Sequence, residues 1–406
     1  MPALAPVTGE EVPGALRALL PFGGATFIEH QARQAIDAGA RSILIHVDTV
    51  PPALARVADR LGARDDLSIE FVRDIPLFAS RVALTDRVLC LGDGMLVPQD
   101  ALSALAASVA PRLLVTPRVA ATDWLERIDA QDVWAGAILL PGDLVLGTVD
   151  MLGEWDFMST LVRVAVQKGA GRLVISPQHA MEGQLAQITS TANADLALEA
   201  LSADQGTEPT SRTGLAHRLT RSFGLLIAGV LIRRQVDPQR LIPPALALAG
   251  AGVLAAGLGW AVVGLLALLA GQGLFGVARQ AGAILLHRPP RSGLARFFGG
   301  ASLLSVGLVA GRAGWGQAFA PVAIMLVLGL LLLVAIDVER AEKGYASASY
   351  LPSWLRLDLP TALAMMLLGA LTGWVAFATG LVGVAALAEI AFRRHESAAV
   401  EPRKTV

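Results

Sequence analysis

Between Gln239 and Ile336 the sequence contains no aspartate and no glutamate. Chemistry that needs a divalent ion held by protein carboxylates is excluded from that stretch. Lysine is also scarce. Lys168, Lys343 and Lys404 are the only three among 33 basic side chains, which limits where a phosphate-binding lysine could stand. Cys90 is the single cysteine, so no intramolecular disulfide forms, in keeping with a reducing cytosol. The opening stretch MPALAPVTGEE has neither a basic n-region nor an apolar h-region, so no secretory signal is expected.

What the chain has instead is apolar length. Of its 406 residues, 54% are hydrophobic, and they are unevenly distributed. Residues 1–210 carry 26 acidic and 15 basic side chains, whereas residues 211–406 carry 8 acidic and 18 basic. An acidic soluble half joined to a basic membrane half is the simplest reading, and nucleic acid is not an expected partner. Apolar runs at about 241–259, 261–286, 295–311, 317–336, 360–375 and 377–393 read as six membrane spans forming an all-α domain over 239–395. Basic residues cluster before the first run, in the 287–296 and 339–356 loops and at Arg393-Arg394, while the opposite turns carry only Arg312. That bias places both termini, including the 396–406 tail, in the cytoplasm of a multi-pass inner-membrane protein whose spans meet membrane lipid. Residues 203–214, ADQGTEPTSRTG, read as a linker, and Phe223–Ile232 as a helix lying in the interface; together they make up the 206–238 connection.

In the soluble half, residues 1–205, short β-branched runs alternate with amphipathic stretches. Strands are expected at Ser42–Val47, Ser68–Val72, Arg87–Leu91, Arg112–Val115, Ala135–Leu140 and Arg172–Ile175. Helices are expected at Thr26–Ala38, Pro52–Leu61, Gln99–Ala107 and Phe157–Lys168, the last with Asp156 as N-cap and Gly169 beyond its end. Strands separated by single helices imply parallel pairing in a doubly wound α/β sheet. Ligands in such sheets bind at the carboxyl ends of strands, where Asp48 and Asp93 fall; Gly136 lies early in its strand.

The segment Leu4-Ala5-Pro6, Gly9, Leu16 to Gly24 and Ile28-Glu29-His30-Gln31 resembles the opening of the sugar-phosphate nucleotidyltransferases and MobA-like proteins. Ala38-Gly39-Ala40, Leu89 to Asp93, Ala135-Gly136-Ala137 and Asp195-Leu196-Ala197 follow in that family's order. The resemblance implies a GT-A-like fold that binds a nucleotide or nucleotide-activated headgroup. It assigns Gly9, Arg17, Asp93 and Gly136 to the nucleotide and Asp93 to Mg²⁺. The chain departs from the pattern in three places. The loop Ala5-Pro6-Val7-Thr8-Gly9-Glu10-Glu11 carries a proline without an N–H and two glutamates that repel phosphate. Arg17 replaces the family's lysine. Gln187 or Thr189 stands where a second metal aspartate is expected.

The membrane half is similar to the CDP-alcohol phosphatidyltransferases, which occur fused to nucleotidyltransferases in inositol-phosphate lipid and solute synthesis. Arg233 to Pro238 resembles their entry to the first span, and Gly276-Val277-Ala278-Arg279 their second-span element. Their aspartates are replaced by Gly271 and Leu274, and in the third span by Phe297 and Ala301 after Gly293. The resemblance thus implies a degenerate membrane half without catalysis. It points to polar-lipid headgroup metabolism, with a homodimer or an active homologue as partner. Two other readings stay open: an active nucleotidyltransferase anchored by its spans, and a scaffold or carrier without enzymatic activity.

Plain structural roles stand beside these assignments. Asp93 suits a Gly-Asp-Gly turn and Arg17 an exposed surface. Asp48 reads better as a helix cap, Lys168 as a helix C-terminal cation, and Glu154-Trp155-Asp156 as a cap with a buried ring. Gly271, Gly273 and Gly276 read as close helix packing.

Overall fold

A computed structural model describes residues 16–47, 49–62, 67–149, 157–204, 227, 230–231, 234, 236–286, 292–312, 327–329, 331 and 357–400. It divides into two compact units. The first is Met1–Gln205 with the short segments Leu231–Val236 and Ile284–His287; the second holds the remainder.

The first unit opens with a 3₁₀ turn, Arg17–Leu19, and a hairpin of β1 (Pro21–Phe22) and β2 (Ala25–Thr26). Gly23 and Gly24, both with positive φ, make its two-residue turn, the form that suits the twist of such strands. Helix α1 (Phe27–Asp37) follows, with a capping box in which Glu29 Oε2 accepts from the Thr26 N–H at 3.2 Å. Glu29 is buried and also pairs with Arg60 and Arg33, so its charge is matched where it is desolvated.

Next come β3 (Ser42–His46), α2 (Pro52–Gly62), β4 (Ser68–Val72) and α3 (Ile75–Ser80), the last capped by Asp74 accepting from the Leu77 N–H. Then follow β5 (Arg87–Leu91), β6 (Met95–Leu96), α4 (Gln99–Ala107), β7 (Arg112–Pro117) and β8 (Asp132–Pro141). The unit closes with α5 (Gly142–Val149), α6 (Phe157–Gln167), β9 (Gly171–Val174), α7 (Gln178–Met181), β10 (Ala186–Gln187) and α8 (Thr191–Asp204). The six expected strands and four expected helices all form, each within a few residues of its expected limits. Lys168 lies just past α6 and Gly169, with positive φ, ends the helix.

The pairing differs from the expected all-parallel sheet. β3 and β4 pair in parallel, and so do β7 and β9, but β8 runs antiparallel to both β5 and β7 in the order β5-β8-β7-β9. The cause lies in the β7–β8 connection, which holds only a 3₁₀ turn, Ala120–Thr122, and no crossover helix. A strand that returns without a crossover pairs antiparallel. The unit is a mixed α/β fold. β8 is buried along nearly its whole length, and Leu113, Ile138 and Leu140 pack on one side of the sheet with Leu161 and Ala165 of α6. Leu102, Leu105 and Leu114 belong to a second cluster, which α4 helps to cover.

The second unit is helical: α9 (Ile242–Leu258), α10 (Ala261–Ile284), α11 (Ser292–Ala310), α12 (Leu359–Thr372) and α13 (Val375–Val400) among the described residues. Three stretches, Pro238–Leu258, Ala261–Ile284 and Gly293–Ala310, are long and apolar enough to cross a membrane. Leu359–Thr372 and Val375–Ala388 are apolar but shorter. Most of the apolar run at 317–336, the basic loop at 339–356, the first five residues of the 287–296 loop and most of Phe223–Ile232 lie outside the described residues; residues 292–296, expected as loop, open α11 instead.

Small residues set the packing here. A β-carbon on Gly271 would meet the Ala245 carbonyl at 2.8 Å, and one on Gly264 would meet the Ala256 nitrogen at 2.6 Å, so α9 and α10 touch backbone to backbone. Among the described residues a β-carbon on Gly273 or Gly276 would meet nothing within 4 Å, so close packing is seen at Gly271. Gln272 Nε2 donates to Ser302 Oγ at 2.5 Å, and that hydroxyl donates to the Phe298 carbonyl, which ties α10 to α11 by a polar contact.

Candidate functional site

β5 ends at Leu91, and the chain turns through Gly92-Asp93-Gly94 into β6. Three separate elements hold this turn. Gly92 donates to the Gly136 carbonyl at 2.8 Å, extending the β5–β8 ladder by one step. Gln31, buried on α1, donates through Nε2 to the carbonyls of Gly92 at 3.0 Å and Met95 at 2.9 Å. On the far side the Ile188 N–H donates to the Gly94 carbonyl at 2.7 Å, beside the short β6–β10 pairing.

Gly136 must be glycine for two reasons. Its φ is +84°, and a β-carbon there would lie 2.7 Å from Met95 Cε. Glycine in mid-strand is thus required by the backbone and by Met95, and the Gly136 carbonyl holds the Gly92 N–H. Gly94, with φ +67°, lets the turn reverse.

The Asp93 carboxylate stands out of this frame, 74% exposed, with Arg17 Nη1 4.0 Å from its Oδ2. The structure thus brings Arg17, Asp93 and Gly136 together at the end of β5. Gly9, the remaining nucleotide-site expectation, lies outside the described residues, as do Asp48 and Glu154-Trp155-Asp156. An exposed carboxylate beside an exposed guanidinium can exchange its partner for a ligand at small cost, because such a pair is worth little in water.

Among the described residues no three His, Cys, Asp or Glu side chains gather to hold a metal ion. A lone carboxylate still fits Mg²⁺ when phosphate oxygens of a nucleotide and water complete its octahedron. Asp93 would then hold the ion and Arg17 a phosphate, and the ion would neutralise charge on the phosphates. Cys90, two residues before the turn, is no candidate ligand: desolvation pushes its thiol up to about 12, so it stays protonated at neutral pH.

Gln31 is the residue that the pattern did not assign. Its signal is present in the sequence: His30, Gln31 and Gln34 are polar residues on the buried face of α1. A polar side chain in that position needs a partner, and here the partners are the Gly92 and Met95 carbonyls for Gln31 and, just past β6, the Val97 carbonyl, which accepts from Gln34 Nε2 at 2.6 Å. Asn193, at the start of α8, has the same character. It is buried and donates to Thr189 Oγ1 at 3.1 Å, bracing the segment that carries Ile188.

Compared with known proteins, the chain matches no family model and no curated protein.

Proposed function

We propose that the first unit binds a nucleotide or nucleotide-activated headgroup at the Asp93 turn, and that the helical half anchors this site to the membrane without phosphoryl-transfer chemistry of its own. The reading places the protein in polar-lipid headgroup metabolism, as a membrane-anchored, nucleotidyltransferase-like protein working alone or beside an active homologue. The observation that carries it is the 4.0 Å approach of Arg17 to Asp93 on a turn held by Gln31, Gly136 and Ile188. A cation for phosphate and a carboxylate for its counter-ion are the minimum such a ligand requires.

The absence of acidic residues from Gln239 to Ile336 supports the inert membrane half, since two divalent ions could not be held there. Six spans with cytoplasmic termini are part of the same reading. The three long apolar helices, the two shorter ones and the apolar sequence at 317–336 support that number.

Calorimetric titration of the full chain in detergent with CTP, UTP and GTP, each with and without Mg²⁺, tests the proposal. Mg²⁺-dependent saturable binding of at least one nucleotide is expected. No heat with any of them would refute the reading and leave the scaffold alternative.

A further inference from the structure

Two helices of the second unit end alike. α9 stops at Gly259, whose φ is +96°, and the exposed Trp260 follows; α12 stops at Gly373, with φ +77°, and the exposed Trp374 follows. Trp374 meets Phe377 edge-on at 6.0 Å, and both rings face outward.

The intervening helix α11 shows that these two turns share one end of the bundle. Just past its last residue, Arg312 donates from Nη1 to the Ala256 carbonyl at 2.6 Å and from Nη2 to the Gly257 carbonyl at 2.5 Å. The end of α11 therefore lies beside the end of α9.

Contacts at two levels fix the direction of α12. At its start, Leu359 Cδ1 lies 3.8 Å from where a β-carbon on Gly299 of α11 would be. Farther along, Gly307 of α11 faces Leu328, and Gly383 of α13 faces the adjacent Val327, at 3.2 and 3.1 Å on the same measure. Because α13 folds back along α12, with Ala378 against Gly369, Gly383 lies alongside α12 beyond Leu359. Moving from Gly299 to Gly307 on α11 is thus moving from Leu359 towards Thr372 on α12. At 1.5 Å per residue α11 rises about 17 Å from Gly299 to Ala310, and α12 about 20 Å from Leu359 to Thr372. The two helices run out at nearly the same height.

We infer that Trp260 and Trp374 form an aromatic anchor at a single bilayer–water interface, seated among the headgroups and ester carbonyls of the lipid. The inference is independent of the nucleotide reading. Indole fits that zone because it offers apolar area and one N–H donor together. Exposed Leu254, Leu258 and Val263 around the first turn, and Leu368 and Leu371 before the second, continue from the tryptophans along the helices as hydrocarbon-facing surface. Arg312 turns its charge inward onto helix-terminal carbonyls, which suits the face with few cations and assigns this end to the side away from the basic loops. Gly314-Trp315, soon after α11, repeats the Gly-Trp pair in sequence and lies outside the described residues.

The test uses the full chain in phosphatidylcholine–phosphatidylglycerol vesicles whose acyl chains carry bromine either near the ester or near the chain end. Emission lost to the ester-proximal bromine should fall in Trp260→Phe and again in Trp374→Phe, with little change in what the chain-end bromine quenches. In a Cys90→Ala background, Trp260→Cys and Trp374→Cys should react with a membrane-impermeant maleimide from the same side of the membrane. Stronger quenching of these two residues by the chain-end bromine, no quenching by either lipid, or labelling from opposite sides would each overturn the inference. The Trp→Tyr variants, which keep an amphipathic ring, should retain the wild-type membrane yield if the Phe variants lose it.

Discussion

Gln31 and Gly92 are joined by a hydrogen bond of 3.0 Å, from a side chain buried on α1 to the carbonyl that opens the Asp93 turn. The same amide also serves Met95, so one side chain clamps both ends of the turn.

Gln31→Leu keeps the bulk but leaves the Met95 carbonyl without this donor and Gly92, among the described residues, with the 3.2 Å bond from the Met95 N–H. An unsatisfied buried carbonyl costs about 1–3 kcal/mol. The midpoint of thermal unfolding of the first unit should fall accordingly, and any ligand affinity at Asp93 should fall with it. An unchanged midpoint would show that water replaces the amide and that the clamp is not needed.

Gly136→Ala and Gly39→Ala form a matched pair. Both glycines have positive φ, but among the described residues nothing lies within 4 Å of a β-carbon on Gly39, whereas at Gly136 Met95 lies within 3 Å. Backbone strain alone should cost about 1–2 kcal/mol at Gly39. Strain and overpacking together should cost about 2–5 kcal/mol at Gly136. Equal losses in denaturant titration would mean that Met95 moves aside freely.

The loop into β8 carries an acid-sensitive tie. Asp129 accepts from the N–H groups of Asp132 and Gln131 and pairs with Arg172, whose guanidinium also meets Asp132. Its carboxyl is held at about 2, against 3.8 ordinarily, mainly by those backbone donors and then by Arg172. A carboxyl lowered in the folded state adds stability that is complete above its unfolded value and lost as pH falls through its folded one. The stability difference between wild type and Asp129→Asn should therefore shrink between pH 4 and pH 2. A difference that stays constant across that window would show that the tie does not titrate.

In the helical half, Gly271→Leu should separate α9 from α10, because the Ala245 carbonyl and the Ala249 nitrogen occupy that space. Gly276→Ala should be tolerated, since a β-carbon there would meet nothing within 4 Å among the described residues. Detergent-solubilised melting curves distinguish the two, and comparable behaviour would remove the close-packing account of Gly271.

Strand and helix positions in the first unit were legible because β-branched runs such as Ser68–Val72 and amphipathic runs such as Pro52–Gly62 report local periodicity. The direction of β8 was not, since pairing sense depends on the connection that precedes it. The cue was the lack of any long helical pattern between Pro117 and Asp132. Asp93 was legible from its place after a strand; the clamp on its turn was not, because Gln31 and Gly92 are joined only by tertiary folding. In the second unit apolar length marked the helices. Their ends were set by glycines such as Gly259 and Gly373 and by the contacts of Arg312, which periodicity does not report.

The proposed binding of a Mg²⁺–nucleotide by Asp93 and Arg17 is tested most directly by calorimetric titration of wild type, Asp93→Asn and Arg17→Ala in the full chain. Losing a charged partner of a bound ion costs a few kcal/mol, or roughly two decades in affinity. Asp93→Asn should abolish Mg²⁺-dependent binding while the melting temperature stays put, because Asn also suits the turn. Arg17→Ala should weaken binding less, its exposed contact being partly screened. Wild-type binding that persists unchanged in Asp93→Asn would contradict the account.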